Sequence, residues 1–182
     1  MSPHWTRHLE TLGACDAAVA WAKTQPDLKT AWATCERGDW MLWLAGKRIG
    51  KAGSQQHRAL VRAAAQCARL SLDIFTARRP YDDRPRLAIE ATERWADDPT
   101  AGNKGAAAAA AHAAYTASAH AAAASAYAAY AASAYAAASA YAASASAAAH
   151  AAGTVTLTRC AVIVRAHITC PLLAVRKPRV AS

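Results

Sequence analysis

The fold class of this chain is decided by one stretch, residues 106–152, which reads AAAAAAHAAYTASAHAAAASAYAAYAASAYAAASAYAASASAAAHAA. Thirty-two of its 47 residues are alanine, and the others are only Tyr, Ser, Thr and His. Alanine has the highest intrinsic helix propensity because it has no side-chain rotamers to lose, and the stretch contains neither glycine nor proline. The stretch is therefore predicted to be the longest helical element of an all-α protein.

The length of this stretch limits how it can pack. A single helix of this size would extend about 70 Å at 1.5 Å per residue, which exceeds the width of a domain of this chain length. We expect either a break near Ser118–Ser125 or a long helix that protrudes or pairs with a partner. Most of the tyrosines and histidines fall on one face, so we expect Tyr127 and Tyr130 to be buried.

Apolar spacing and capping residues predict further helices on both sides of this stretch. Asp27 is expected to cap one helix, Asp39 to start the next, and Pro85 to occupy the first turn of another. The predicted segments are Gly13–Lys23, Leu28–Glu36, Trp40–Ile49, Ser54–Ala77 and a helix from Asp83 or Arg84 to Asp97.

The C-terminal part of the chain permits two interpretations. Its β-branched residues favour a strand, whereas the spacing of Leu157, Ala161, Val164 and Ile168 favours a helix that ends near Thr169. We prefer the helix, because a lone strand would have no partner. The expectation is thus one helical bundle over residues 1–182, with six or seven helices, a linker at 99–105 and mobile ends at 1–12 and 172–182.

Charge is distributed unevenly along the chain. The net charge is +9, and all twelve acidic residues lie at or before Asp98, so the remainder carries six basic residues and no acidic ones. A basic C-terminal end can attract nucleic acid or phosphate, although most of its basic residues are dispersed. The polar segment Met1–Glu10 has no apolar core typical of a secretory signal, so a cytoplasmic location without membrane insertion is expected. The five cysteines are expected to be reduced.

No motif for catalysis, metal binding or cofactor binding emerges from the sequence. His4 and His8 have a spacing that can bind zinc, but no third ligand lies within reach in the sequence. The sequence contains neither of two glycine-rich phosphate-binding motifs, G-x-x-x-x-G-K-[ST] and G-x-G-x-x-G. We therefore expect a protein that is not an enzyme and that uses no cofactor and no metal.

Two segments are candidates for binding a partner. The first is the helix start at Asp39, Trp40 and Trp43, although tryptophans at this spacing more often belong to the core and a helix cap is the simpler role for Asp39. The second is the proline-containing loop with Arg79, Tyr81, Asp82, Asp83 and Arg84, since rigid loops often carry recognition. Its charges could also form an intramolecular salt-bridge cluster.

Several blocks together resemble a family of immunity proteins from bacterial polymorphic-toxin systems. The most specific block is Cys35–Leu44, which reads CERGDWMLWL, and the resemblance extends over about residues 9–170. The other matching blocks are Gly13–Cys15, Ala20–Trp21, Ala31–Trp32, Arg84–Ala91, the alanine-rich helix, Arg159–Ala161 and Ile163–Arg165. The resemblance implies an all-α fold and an antidote that binds and neutralises a toxin protein.

Two other functions stay open at this point. A nucleic-acid or nucleotide-phosphate binder would use the basic C-terminal half and tyrosines that stack on bases. A structural protein would self-associate through the alanine-rich helix.

Overall fold

The computed structural model describes residues 4–48, 53–118 and 154–171. Within these ranges the protein is entirely helical, with eight helices and no strand. In chain order the helices are α1 (His4–Thr11), α2 (Asp16–Lys23), α3 (Leu28–Thr34), α4 (Gly38–Arg48), α5 (Gln55–Arg78), α6 (Arg84–Asp97), α7 (Ala101–Ser118) and α8 (Thr154–His167). The predicted all-α fold is confirmed, and so is the helical interpretation of the C-terminal part.

Local capping explains where several helices begin. The Asp27 carboxylate accepts a hydrogen bond from the Thr30 N–H at 2.7 Å, as predicted for an N-cap. Ser54 caps α5 in the same way, because its hydroxyl accepts a bond from the His57 N–H at 3.2 Å. Pro85 occupies the first turn of α6, where its missing N–H has no helical acceptor to lose.

Helix α1 lies within the segment 1–12 that the sequence predicts to be mobile. Leu9 and Thr6 are buried, and Trp5 packs against the core. Gly13 ends the helix with a φ of +81°, and the Ala14 N–H then donates to the Leu9 carbonyl at 3.0 Å. With this helix the described residues contain eight helices, close to the expected number of about six or seven.

The expected linker at 99–105 is corrected, because α7 already begins at Ala101. The Thr100 hydroxyl accepts a hydrogen bond from the Asn103 N–H at 3.2 Å, which caps the first turn. Gly102 and Gly105 are exposed and lie inside the helix. The question of whether Ala106–Ala152 forms one helix or two lies outside the described residues, as do Tyr127, Tyr130 and the segment 172–182.

Helix α8 packs against both α4 and α5. Ala161 and Val164 of α8 are completely buried, together with Leu42 of α4 and Ala64 of α5. On the other side of α5, α6 packs against both α5 and α7. The four short helices α1–α4 contribute most of the aromatic side chains of the core.

Candidate functional site

The loop between α5 and α6 carries the most exposed aromatic side chain of the described residues. Arg79 to Asp82 form a turn in which the Asp82 N–H donates to the Arg79 carbonyl at 3.2 Å. Pro80 is the second residue of this turn, a position that suits its fixed φ. The turn places Tyr81 at its tip, where 99% of the side chain is exposed.

Hydrogen bonds within the loop hold this turn in place. Asp82 accepts two bonds of 2.8 Å from the Arg84 guanidinium and one of 3.2 Å from the Arg84 N–H. These bonds lower the pKa of the Asp82 carboxyl below its ordinary value. The Asp82 side chain is mostly buried, and its bonds to Arg84 restrain the backbone directly after Tyr81.

A second ion-pair group anchors the loop to the body of α6. Arg86 contacts Asp83 at 3.1 Å and donates to Glu90, one helical turn further on, at 2.8 Å. Such exposed pairs each contribute less than about 1 kcal/mol to stability. Their effect here is geometric, since together with Asp82–Arg84 they restrict the loop on its C-terminal side.

The second feature is a cleft between the short helices α1–α4, with a cavity volume of about 60 Å³. All of its lining side chains are apolar, and five of the six tryptophans of the chain take part. The rings of Trp21 and Trp40 lie 6.0 Å apart at an angle of 53°. The tryptophans of this cleft are Trp5, Trp21, Trp32, Trp40 and Trp43.

Cations cover the outer faces of two of these rings. The Arg37 guanidinium lies 4.3 Å from the centre of the Trp40 ring, and the Lys47 ammonium lies 5.6 Å from that of Trp43. Trp40 and Trp43 are only half-buried. The two rings therefore line the cleft and also extend to the protein surface.

Asp39 differs from the sequence expectation. Its side chain is 3% exposed and holds Arg37 through hydrogen bonds of 2.9 and 2.6 Å. A buried carboxylate that is fully engaged with a neighbouring guanidinium has no free oxygen at the surface for a partner. Asp39 instead positions Arg37 over Trp40. Helix α4 begins at Gly38, one residue before Asp39, which was expected to start it.

Arg165 of α8 supports the floor of this cleft, a role that the sequence analysis did not identify. One guanidinium nitrogen lies 2.8 Å from the Cys35 carbonyl oxygen and 3.3 Å from that of Trp32. The same nitrogen lies 3.7 Å from the Met41 sulfur. A cation thus satisfies carbonyl groups at the C-terminal end of α3, where helical partners are lacking.

The structure does not join the two predicted binding segments into one site. Among the described residues, no hydrogen bond, ion pair or ring contact links the loop around Tyr81 to Trp40 or Trp43. The described residues also contain no group of three or more His, Cys, Asp or Glu able to hold a metal ion. Within the same ranges, no helix has both the length and the apolar character needed to cross a bilayer.

Comparison with known proteins gives no match to a family model, to a curated protein or to a solved structure. The resemblance of the Cys35–Leu44 block to immunity proteins therefore stays a prediction.

Proposed function

We propose that this protein is an immunity protein that binds and neutralises a toxin protein through the loop around Tyr81. The observation that carries the proposal is an almost fully exposed tyrosine at the tip of a turn held by ion pairs. Tyrosine is among the residues that contribute most to binding energy at protein interfaces. An exposed tyrosine on a rigid loop needs little further ordering when a partner binds, which favours affinity.

Two arginines close to Tyr81 are paired with carboxylates, which supports a protein partner over nucleic acid. Arg84 and Arg86 pair with carboxylates of their own loop and helix. Further from the loop, Arg69 pairs with Glu93 at 2.6 Å, and Arg62 pairs with Asp97 at the opposite end of α6 at 2.9 Å. A phosphate backbone would have to compete with these carboxylates, whereas a protein surface can complement the mixed charges.

The resemblance supplies the second line of support, and its separate blocks meet in space. Gly38 of the Cys35–Leu44 block lies against Cys160, and Arg165 donates to the Cys35 carbonyl. Residues that are more than 120 positions apart in the chain thus form one packing unit. We assign these blocks to the framework of the fold and the Tyr81 loop to recognition.

Neutralisation by binding requires no chemistry from this chain. In this proposal the Tyr81 loop docks onto the toxin, and the bulk of the helical bundle blocks access to the toxin's own site. This mode of neutralisation fits the surroundings of Tyr81, because the nearby carboxylates of Asp82 and Asp83 form ion pairs with arginines.

The test is capture of partners from a lysate of the native host at moderate salt, with the wild-type protein and two variants. Tyr81→Ala removes the proposed anchor, and Val162→Ala removes an exposed apolar side chain of α8 as a matched control. A single protein that is retained by Val162→Ala and lost with Tyr81→Ala, encoded next to this gene, supports the proposal. Recovery of nucleic acid alone, released by salt, or of further copies of this chain alone would refute it.

A further inference from the structure

Two cysteines on different helices lie side by side in the core. Cys67 belongs to α5 and Cys160 to α8, and 93 positions separate them in the chain. The Cys67 thiol donates to the Cys160 carbonyl oxygen at 3.9 Å, and the two thiols are close enough for each to shift the pKa of the other. Each residue keeps 8% of its surface exposed, and neither forms a disulfide in this structure.

The contact makes the two thiols unequal. The hydrogen bond from Cys67 lowers the pKa of the Cys160 thiol, against the effect of burial. The same bond, together with burial, raises the pKa of the Cys67 thiol. Cys160 is therefore the better source of a thiolate, which is the form that reacts with oxidants, and Cys67 is placed to resolve the product.

We infer that Cys67 and Cys160 form a redox-sensitive pair that a peroxide converts into a disulfide joining α5 to α8. The Cys160 thiolate attacks one peroxide oxygen, the O–O bond breaks, and Cys160 becomes a sulfenic acid, while the released hydroxide takes up the proton that the thiol lost and leaves as water. The Cys67 sulfur then attacks the Cys160 sulfur, the S–O bond breaks, and the hydroxyl group leaves as water with the Cys67 proton. Overall, two thiols lose two hydrogen atoms and one hydrogen peroxide is reduced to two waters.

The position of this pair gives the disulfide a structural consequence. Helix α8 carries Arg165, which supports the floor of the tryptophan cleft, and it crosses α4 at Gly38. A covalent bond between α5 and α8 would hold α8 in place and close a long chain segment. In the chain-entropy model, a cross-link over so long a segment stabilises the fold strongly. The inference does not depend on the proposed toxin binding.

The experiment treats the full chain carrying Cys15→Ser with hydrogen peroxide, because Cys15 is exposed and could form intermolecular bonds. Mass spectrometry of the intact protein is expected to show the loss of two hydrogen atoms, reversed by dithiothreitol. Peptide mapping is expected to find Cys67 joined to Cys160. The midpoint of thermal unfolding should rise by about 10 °C on oxidation.

Matched variants distinguish this pair from other thiols. Cys67→Ala and Cys160→Ala are each expected to abolish the intramolecular disulfide, whereas Cys35→Ala, at another buried thiol, should leave it intact. Circular dichroism of each variant checks that it folds, and the peptide map of the Cys15→Ser protein is decisive without the other variants. Absence of a Cys67–Cys160 cross-link in that map, or oxidation confined to other cysteines, would overturn the inference.

Discussion

Gly38 of α4 lies directly against the backbone of Cys160 and Ala161 in α8. A Cβ atom added at Gly38 would lie 2.6 Å from the Ala161 nitrogen and 2.7 Å from the Cys160 carbonyl carbon. Side-chain atoms of real proteins do not approach a backbone this closely. The Cβ atom of Cys160 would be closer still, so glycine at position 38 is the residue that permits the two helices to cross at this distance.

Gly38→Ala is expected to destabilise the protein by about 3 kcal/mol, because relief of the overlap requires movement of a helix backbone. Gly102→Ala is the matched control. It lies exposed in α7 with no atom within 4 Å of an added Cβ, so it should stabilise the protein by about 0.5–1 kcal/mol through helix propensity. Chemical unfolding measures both changes, and equal effects of the two substitutions would show that the helix crossing is wrong.

Arg165→Met is expected to cost about 2 kcal/mol, since the Cys35 and Trp32 carbonyls would lose a charged donor. Methionine keeps most of the apolar stem, so the loss reports mainly on the hydrogen bonds. Arg159→Met on the same helix, at an exposed position, should change stability by less than about 0.5 kcal/mol. If urea unfolding gave both variants the same midpoint, Arg165 would have no supporting role.

Leu42→Ala and Leu87→Ala compare the same truncation at buried and exposed positions. Leu42 is 1% exposed within the main core, so its loss should cost about 3 kcal/mol through transfer and cavity terms. Leu87 is 46% exposed, and its loss should cost less than about 1 kcal/mol. Thermal or urea unfolding gives both values, and a costlier Leu87 substitution would place the core on the wrong face of these helices.

Much of the fold could be predicted from the sequence because it depends on local signals. Asp27, Ser54 and Pro85 mark helix starts through their own hydrogen-bonding and φ preferences, and the structure places α3, α5 and α6 accordingly. Two local signals were misjudged. The spacing of Trp5 and Leu9 marks one face of α1, and the spacing of Thr100 and Asn103 marks the cap of α7.

The contacts between distant segments could not be predicted in the same way. The residues around Gly38 do not indicate that Cys160 is its neighbour. Those around Arg165 do not indicate that it contacts the carbonyls at the end of α3. Asp39 illustrates the same limit, because its sequence position suggested a helix cap or a binding residue, whereas burial and Arg37 determine its role. For Tyr81, the two prolines indicated an exposed loop, and the intramolecular ion pairs that restrain it were one of the two predicted outcomes.

Stability should decrease in mildly acidic solution because of His57. Its Nδ1 atom accepts a hydrogen bond from the Gly53 N–H at 3.0 Å, and its ring lies edge-on to Trp95 at 5.1 Å. Burial lowers the pKa of His57 below its ordinary value of 6.5. Between the folded and unfolded pKa values the unfolded chain binds more protons, so this contribution to stability is complete above about pH 6.5 and is lost as the pH falls towards the folded-state pKa.

His57→Gln keeps a possible acceptor for Gly53 and does not titrate. The decrease in unfolding free energy from about pH 7 to about pH 5 should be smaller in this variant than in the wild type. Part of the decrease should persist, because burial, and to a smaller extent Arg48, also lower the pKa of His8. Urea titrations at several pH values measure the two slopes, and an unchanged slope in His57→Gln would exclude a contribution from this histidine.

The most direct test of the central claim is the affinity of the protein for the product of the neighbouring reading frame, the proposed toxin, measured by calorimetry with the wild type, Tyr81→Ala and Val162→Ala. Both residues are exposed and neither lies in the core, so the two variants should fold equally well. We predict that Tyr81→Ala weakens binding by about 30-fold or more, the effect of losing an interface residue worth about 2 kcal/mol. Val162→Ala should bind like the wild type, and a Tyr81→Ala variant that binds the toxin as tightly as Val162→Ala would contradict the account.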